Sequence, residues 1–370
     1  MLQVSLLCLI LYVQYSNATH TSDEEDDLTL NLVQVIFRHG LRTPLEREAN
    51  ILNITDPSFY GYDDFGQLTE EGREQEYLLG KLLRKYYNDH LGVYNRKKLV
   101  ARSTNVPRTR ESLELLLTGL FSRTSVPYEI PEMKNGETDI ILSPYMSPKF
   151  KSINKSILRS SIEFQKKLLS YTKFVKYLEY QTGHSYFPKI LNVCGWTASL
   201  IQIHKLLNIP LPSWCTDEVY ETSRSILRLY FESLSLNTQL KKLNGGTLIR
   251  RVIENVEQNT RRMKKIYLYS THDTTLTSFM NAQDVVGAFK LPPFGSAYIV
   301  ESYKDMKHKY YIRMLSWNGS SDQFVELEIS NCEKYCPIDK YKILVEDVIP
   351  TDEELTFFNL DTAESCGTQL

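Results

Sequence analysis

The sequence predicts an α/β fold: a central, mostly parallel sheet with helices on both faces, plus a smaller, mainly helical cap. Three observations predict it. Short β-rich apolar runs alternate with helical periodicity early in the chain, the same alternation returns late, and between them the β-rich runs thin out. The α/β part accordingly spans 28–127 and 247–350, the cap insertion 128–246, and a polar tail 351–370.

In chain order, Val4 to Val13 is an apolar run with a small-residue exit at Ser16, Asn17 and Ala18. It is about half the length of a membrane span and reads as the core of a signal peptide, 1–18, although no Lys or Arg precedes it. Leu32 to Phe37 is a buried strand that stops at Arg38-His39-Gly40. Leu68 to Tyr87 is an amphipathic helix, with Thr69 as its cap, Glu70 and Glu71 in its first turn and Lys81, Arg84 and Lys85 late, as the helix dipole favours. Leu99 to Arg102 is a second strand, followed by a helix with Leu113, Leu116, Leu117 and Leu120 on one face. Ile162 to Tyr180 and Val219 to Leu243 carry the helical pattern of the cap, rich in Lys, Ser and Tyr. The sheet resumes at Ile266 to Ser270, and Ala297 to Tyr303 with Lys309 to Trp317 alternate like an antiparallel pair at one edge.

Composition narrows the function. With 370 residues, 42% of them hydrophobic, the chain can bury a full core. Lys plus Arg is 43 against 45 Asp plus Glu, a formal charge of −2, so no basic excess is on offer to nucleic acid. Cys332 and Cys336 can close a short disulfide loop in an oxidising compartment, and Cys194 with Cys215 is a possible second pair, which strands Cys366. Sequons at Asn53, Asn154 and Asn318 fit a secreted glycoprotein. No second run of spanning length and no lipid-anchor tail is visible, so the mature chain is expected outside the cytosol without a membrane span.

The chemistry concentrates at strand ends. In Arg38-His39-Gly40-Leu41-Arg42-Thr43-Pro44, two arginines bracket a histidine at the edge where open α/β sheets bind ligands. Guanidinium forks suit phosphate oxygens, and a histidine between them is kept neutral and nucleophilic because its protonated form is repelled. Gly40 allows close backbone approach. Ser270-Thr271-His272-Asp273-Thr274-Thr275 brings a second histidine and an acid to another strand end; helix capping accounts for Asp273 but not for His272. A third strand end carries Arg108, with Arg110 next door as an equal candidate on physics alone.

The RHGLRTP segment, Gly66 to Gly80 (GQLTEEGREQEYLLG), RSTNVPRT, the LPSW at Leu211 to Trp214 and STHDTT stand in the order found in histidine acid phosphatases. The chain resembles that family over nearly its whole mature length, and CEKYC with the following VIP is similar to secreted animal members, including insect venom acid phosphatases. The resemblance implies that His39 is the nucleophile, that Arg38, Arg42, Arg108 and His272 hold the phosphate, and that Asp273 is the proton donor. Pro107 departs from the family, which usually has Asp there. The implied reaction is two-step hydrolysis of a small-molecule phosphomonoester, with no metal and no cofactor and with an acidic optimum, about pH 4 to 6 from opposed shifts of the nucleophile and the acid. A homodimer is also implied. A phytase-like phosphatase, or a secreted phosphate-ester or lipid-binding protein on a retired scaffold, is the alternative.

Overall fold

The computed structural model describes residues 28–123, 125–131, 138–186 and 189–359. The leader at 1–18, Cys366 and the end of the tail lie outside the described residues. The sheet comprises β1 (Thr29–Arg38), β2 (Leu99–Ser103), β3 (Ile266–Thr271), β4 (Val285–Val286), β5 (Ala297–Lys304), β6 (Tyr310–Trp317), β7 (Val325–Ile329) and β8 (Cys336–Pro337). Its order is β2-β3-β1-β5-β6-β7-β4, with β8 paired to β6. Strands β2, β3 and β1 run parallel, and from β5 onward the sheet is antiparallel.

The near-continuous apolar run of β1 is explained by its central place, buried on both faces. Val33, Val35 and Phe37 pack under α2 (Glu70–Leu91) and α3 (Pro107–Phe121), which follow α1 (Glu46–Ala49) in the chain. Leu32 and Ile36 face the opposite layer. The exception is Gln34, whose buried amide donates to Val252 O at 3.0 Å and accepts from Asn255 Nδ2 at 2.8 Å, so it costs no unmet hydrogen bond.

The alternation over 297–317 does form an antiparallel pair, with Ile299 opposite Leu315. It lies inside the sheet rather than at its edge, because β5 also pairs with β1 and β6 with β7. Strand β7 exposes three of its five residues, which leaves an apolar pattern too thin to read.

Between α3 and the return to the sheet come α4 (Pro148–Ser160), α5 (Ile162–Leu169), α6 (Thr172–Thr182), α7 (Ile190–Leu206), α8 (Asp217–Ser233) and α9 (Thr238–Leu243). They bury two apolar clusters of their own, one around Val175, Ile201 and Ile226 and one around Phe150 and Leu240. Helix α10 (Gly245–Glu257), followed by α11 (Asn259–Arg262), then covers the second sheet face together with α12 (Asp273–Asn281) and α13 (Ile338–Val345).

The Cys332–Cys336 disulfide is present, spanning 5.4 Å between Cα atoms. The Cys194–Cys215 pairing is corrected: both are buried free thiols packed in the α6–α8 cluster, each pushed up to about 12 by burial. Among the described residues no helix is long and apolar enough to cross a membrane. Asn53 and Asn318 are exposed, whereas Asn154 is half-buried and donates to Ser233 O at 2.6 Å.

Candidate active site

The C-terminal ends of β1 and β3, which are adjacent and parallel, bring the two histidine loops together. His39 N donates to Thr271 O at 3.1 Å and Arg38 N to Ser296 O at 2.9 Å, so the loop leaves the sheet under backbone control. Helix α2 then clamps it. Thr69 and Gln75, together with Gly72, follow one helical face and all meet the loop. Thr69 N donates to Leu41 O at 2.9 Å, and Leu41 N donates to Gln75 Oε1 at 2.9 Å. A Cβ on Gly40 would lie 2.1 Å from Gly72 O, and one on Gly72 would lie 1.9 Å from Leu41 O. Only two glycines allow this crossing of loop and helix.

His39 is buried, and its Nδ1 is 2.9 Å from Gly40 O. A carbonyl only accepts, so Nδ1 carries the proton and Nε2 keeps its lone pair. The ring is held well below its usual pKa, by burial first and then by Arg108, Arg38, His272 and Arg42. It is therefore a neutral imidazole with a free nitrogen in a strongly positive setting. The His272 ring stands edge-on to it, 5.5 Å between centroids. Burial and then Arg108 push His272 down to about 3, against the pull of Asp273, and its Nε2 lies 3.2 Å from Thr104 Oγ1.

Arg38 donates to Pro292 O at 2.7 Å, pairs with Asp273 Oδ2 at 2.9 Å and lies 3.8 Å over the Phe294 ring. Arg42 makes a bidentate pair with buried Glu48, at 2.6 and 2.9 Å, and Glu48 also accepts from Leu45 N at 2.8 Å. Arg108 enters from the first turn of α3; burial and the nearby Arg42 lower it to about 10. Arg108 bears on both histidines whereas Arg110 bears on Tyr128, so the electrostatics separates two arginines that the sequence left equal. The Nε donors of Arg38, Arg42 and Arg108 are all buried without a partner among the described residues. Buried donors of that kind suit an oxyanion, and three guanidinium groups against two carboxylates leave room for its charge.

Asp273 is the first residue of α12, with its Oδ1 accepting from Thr274 N at 2.7 Å. The cap position itself is His272, which makes no side-chain cap bond, and Asp273 meets a free first-turn amide. Burial raises its pKa, but Arg38 and then His272 outweigh burial and hold it as a carboxylate. All six residues named from the sequence converge. Glu48, Thr104 and Phe294 were not named. Glu48 had a readable signal, since a buried Arg42 needs a counter-ion and an acid stands six residues on; a phenylalanine flanking an arginine cluster has none.

The sequence profile of the histidine phosphatase superfamily, branch 2, matches residues 29–316. Among curated proteins, prostatic acid phosphatase of Homo sapiens is 30% identical over 342 residues, covering 87% of this chain and 86% of that one. The venom acid phosphatase of Apis mellifera is 30% identical over 355 residues, 88% and 87% of the two chains. Lysosomal acid phosphatase of Rattus norvegicus is 28% identical over 343 residues, 88% and 79% of the two. Among solved structures, the phytase of Klebsiella sp. ASR1 superposes with a TM-score of 0.67 at 15% identity, covering 88% of this chain and 97% of that one. That likeness shows the fold alone.

Proposed function

The chain belongs to the histidine phosphatase superfamily, branch 2, and from that premise we propose that it is an acid phosphatase working through a phosphohistidine at His39. The observation that carries the reading is a buried neutral imidazole, its Nδ1 committed to Gly40 O, held low by Arg108, Arg38 and Arg42, whose Nε donors have no partner among the described residues. Its relatives, named as prostatic, venom and lysosomal acid phosphatases, support the same activity.

Arg38, Arg42, Arg108 and His272 hold the phosphoryl oxygens and offset the charge of the transition state. His39 Nε2 attacks phosphorus, the P–O ester bond breaks, and Asp273 gives its proton to the leaving oxygen. Water then attacks the phosphohistidine, returns a proton to Asp273, and releases phosphate as the P–N bond breaks. Arg38 and His272 hold Asp273 ionised, so the substrate must supply the proton or the shift that retains one. A phosphate bound to Arg38 does the latter: it draws the guanidinium away from the carboxylate and adds a negative neighbour, both of which raise Asp273.

The apolar leader at 4–13, the Cys332–Cys336 disulfide and the exposed sequons at Asn53 and Asn318 support a secreted glycoprotein. The test is hydrolysis of p-nitrophenyl phosphate, with alkaline-quenched labelling from a radiolabelled phosphomonoester, since a phosphohistidine P–N bond survives base and not acid. Wild type is expected to turn over and to trap phosphate on His39, and equal turnover in His39→Ala would discard the mechanism.

A further inference from the structure

Helix α4 carries cations along its exposed side. Its first turn holds Lys149 and no acidic residue, although the helix dipole favours acids there. Lys151, Lys155 and Arg159 then follow at i, i+4 and i+8, all exposed, placing like charges where opposite ones would help. Ser152, Ser156 and Ser160 run beside them and, with Lys155 and Arg159, line one shallow depression. The opposite side of the helix is anchored by Phe150, Ile153 and Ile157, so the basic face is turned to solvent. Asn154 itself is half-buried, with its side chain tied to Ser233 O.

A face made to be merely soluble would mix both signs. This one holds only cations and hydroxyls, three cations along one helix about 6 Å apart by the helical rise. It has no aromatic platform for unpaired bases and no apolar residue to enter a lipid interface. We infer that the outward face of α4 is a docking surface for a sulfated polysaccharide chain, whose regularly repeated anions suit a row of cations and whose sugars suit serine hydroxyls. This does not rest on the phosphatase reading, since the face lies on a helix that contributes nothing to the site described above.

The test uses the full mature chain and a fluorescent heparin oligosaccharide at physiological salt. The double variant Lys155→Glu, Arg159→Glu is expected to raise Kd about tenfold or more through lost counterion release, with p-nitrophenyl phosphate turnover and the thermal melt unchanged. Lys307→Glu, Lys309→Glu makes the same change in charge on the β5–β6 turn and is expected to bind like wild type. Equal weakening in both double variants, or no binding by wild type, overturns the proposal. Tighter binding to duplex DNA or to phosphatidylserine vesicles than to heparin would also overturn it. Lys155→Gln, Arg159→Gln repeats the comparison if the charge-reversed variant melts early.

Discussion

Replacing Glu48 with Ala tests whether the phosphate cradle is built by a buried counter-ion. The Arg42 and Glu48 side chains are 6% and 4% exposed and share two charged hydrogen bonds. Removing the carboxylate leaves a guanidinium buried without its partner, which costs about 3–5 kcal/mol. With a melting entropy of about 2.1 cal/mol/K per residue, a chain of this size then loses about 4–7 °C of Tm. Arg42, which the proposed mechanism sets on the phosphate, would also lose its bidentate anchor, and a loosened clamp of this kind costs about 10- to 100-fold in kcat/KM. Glu48→Gln keeps an acceptor for Leu45 N and one for Arg42, so it should fall between wild type and Glu48→Ala in both measurements. Thermal melts and p-nitrophenyl phosphate kinetics decide it. A Glu48→Ala protein with wild-type Tm and wild-type kcat/KM would refute the reasoning.

Asp273→Asn should slow hydrolysis of alkyl phosphates by about 10²–10⁴-fold but hurt p-nitrophenyl phosphate less, because a good leaving group needs no proton; equal losses on both would remove Asp273 as the donor. Because burial and then the arginines hold His39 low, the acid limb of kcat/KM should fall well below pH 6.5, and a limb at that value would point to another nucleophile. Glu76 is fully buried with both carboxyl oxygens unpartnered among the described residues, and burial raises it well above the usual carboxyl range. Folded protein therefore holds a proton that unfolded protein loses above about pH 4.3, so stability falls as pH rises toward the raised value; urea midpoints of Glu76→Gln should lack this slope, and parallel curves would contradict it. Gly72→Ala puts a methyl group against Leu41 O and should cost about 1–3 kcal/mol in urea unfolding and lower kcat; wild-type values for both would show that the loop can move aside.

The elements that bear the site were legible because their local patterns agree with their final environment. Strand β1 reads as buried on both faces and is; Thr69 reads as a cap, and its Oγ1 accepts from Gly72 N at 3.1 Å. The edge of the sheet was not legible, since β7 has one open face and β4 has only two residues. The cysteine pairing misled for a different reason: a buried free thiol and a disulfide half have the same composition and differ only in distance, which spacing along the chain does not encode.

By itself the sequence determined the chemistry available: two histidines, three arginines and an acid at strand ends, with a glycine where the backbone must come close. Residue type and the end of an apolar run are local properties, so they survive without coordinates. The tertiary structure decided which arginine of Arg108 and Arg110 bears on the histidines, which nitrogen of His39 is free, and which carboxylate serves Arg42. Each depends on direction and on a neighbour far off in the chain. Side-chain direction is set by packing, and packing exists only once β1 and β3 lie side by side.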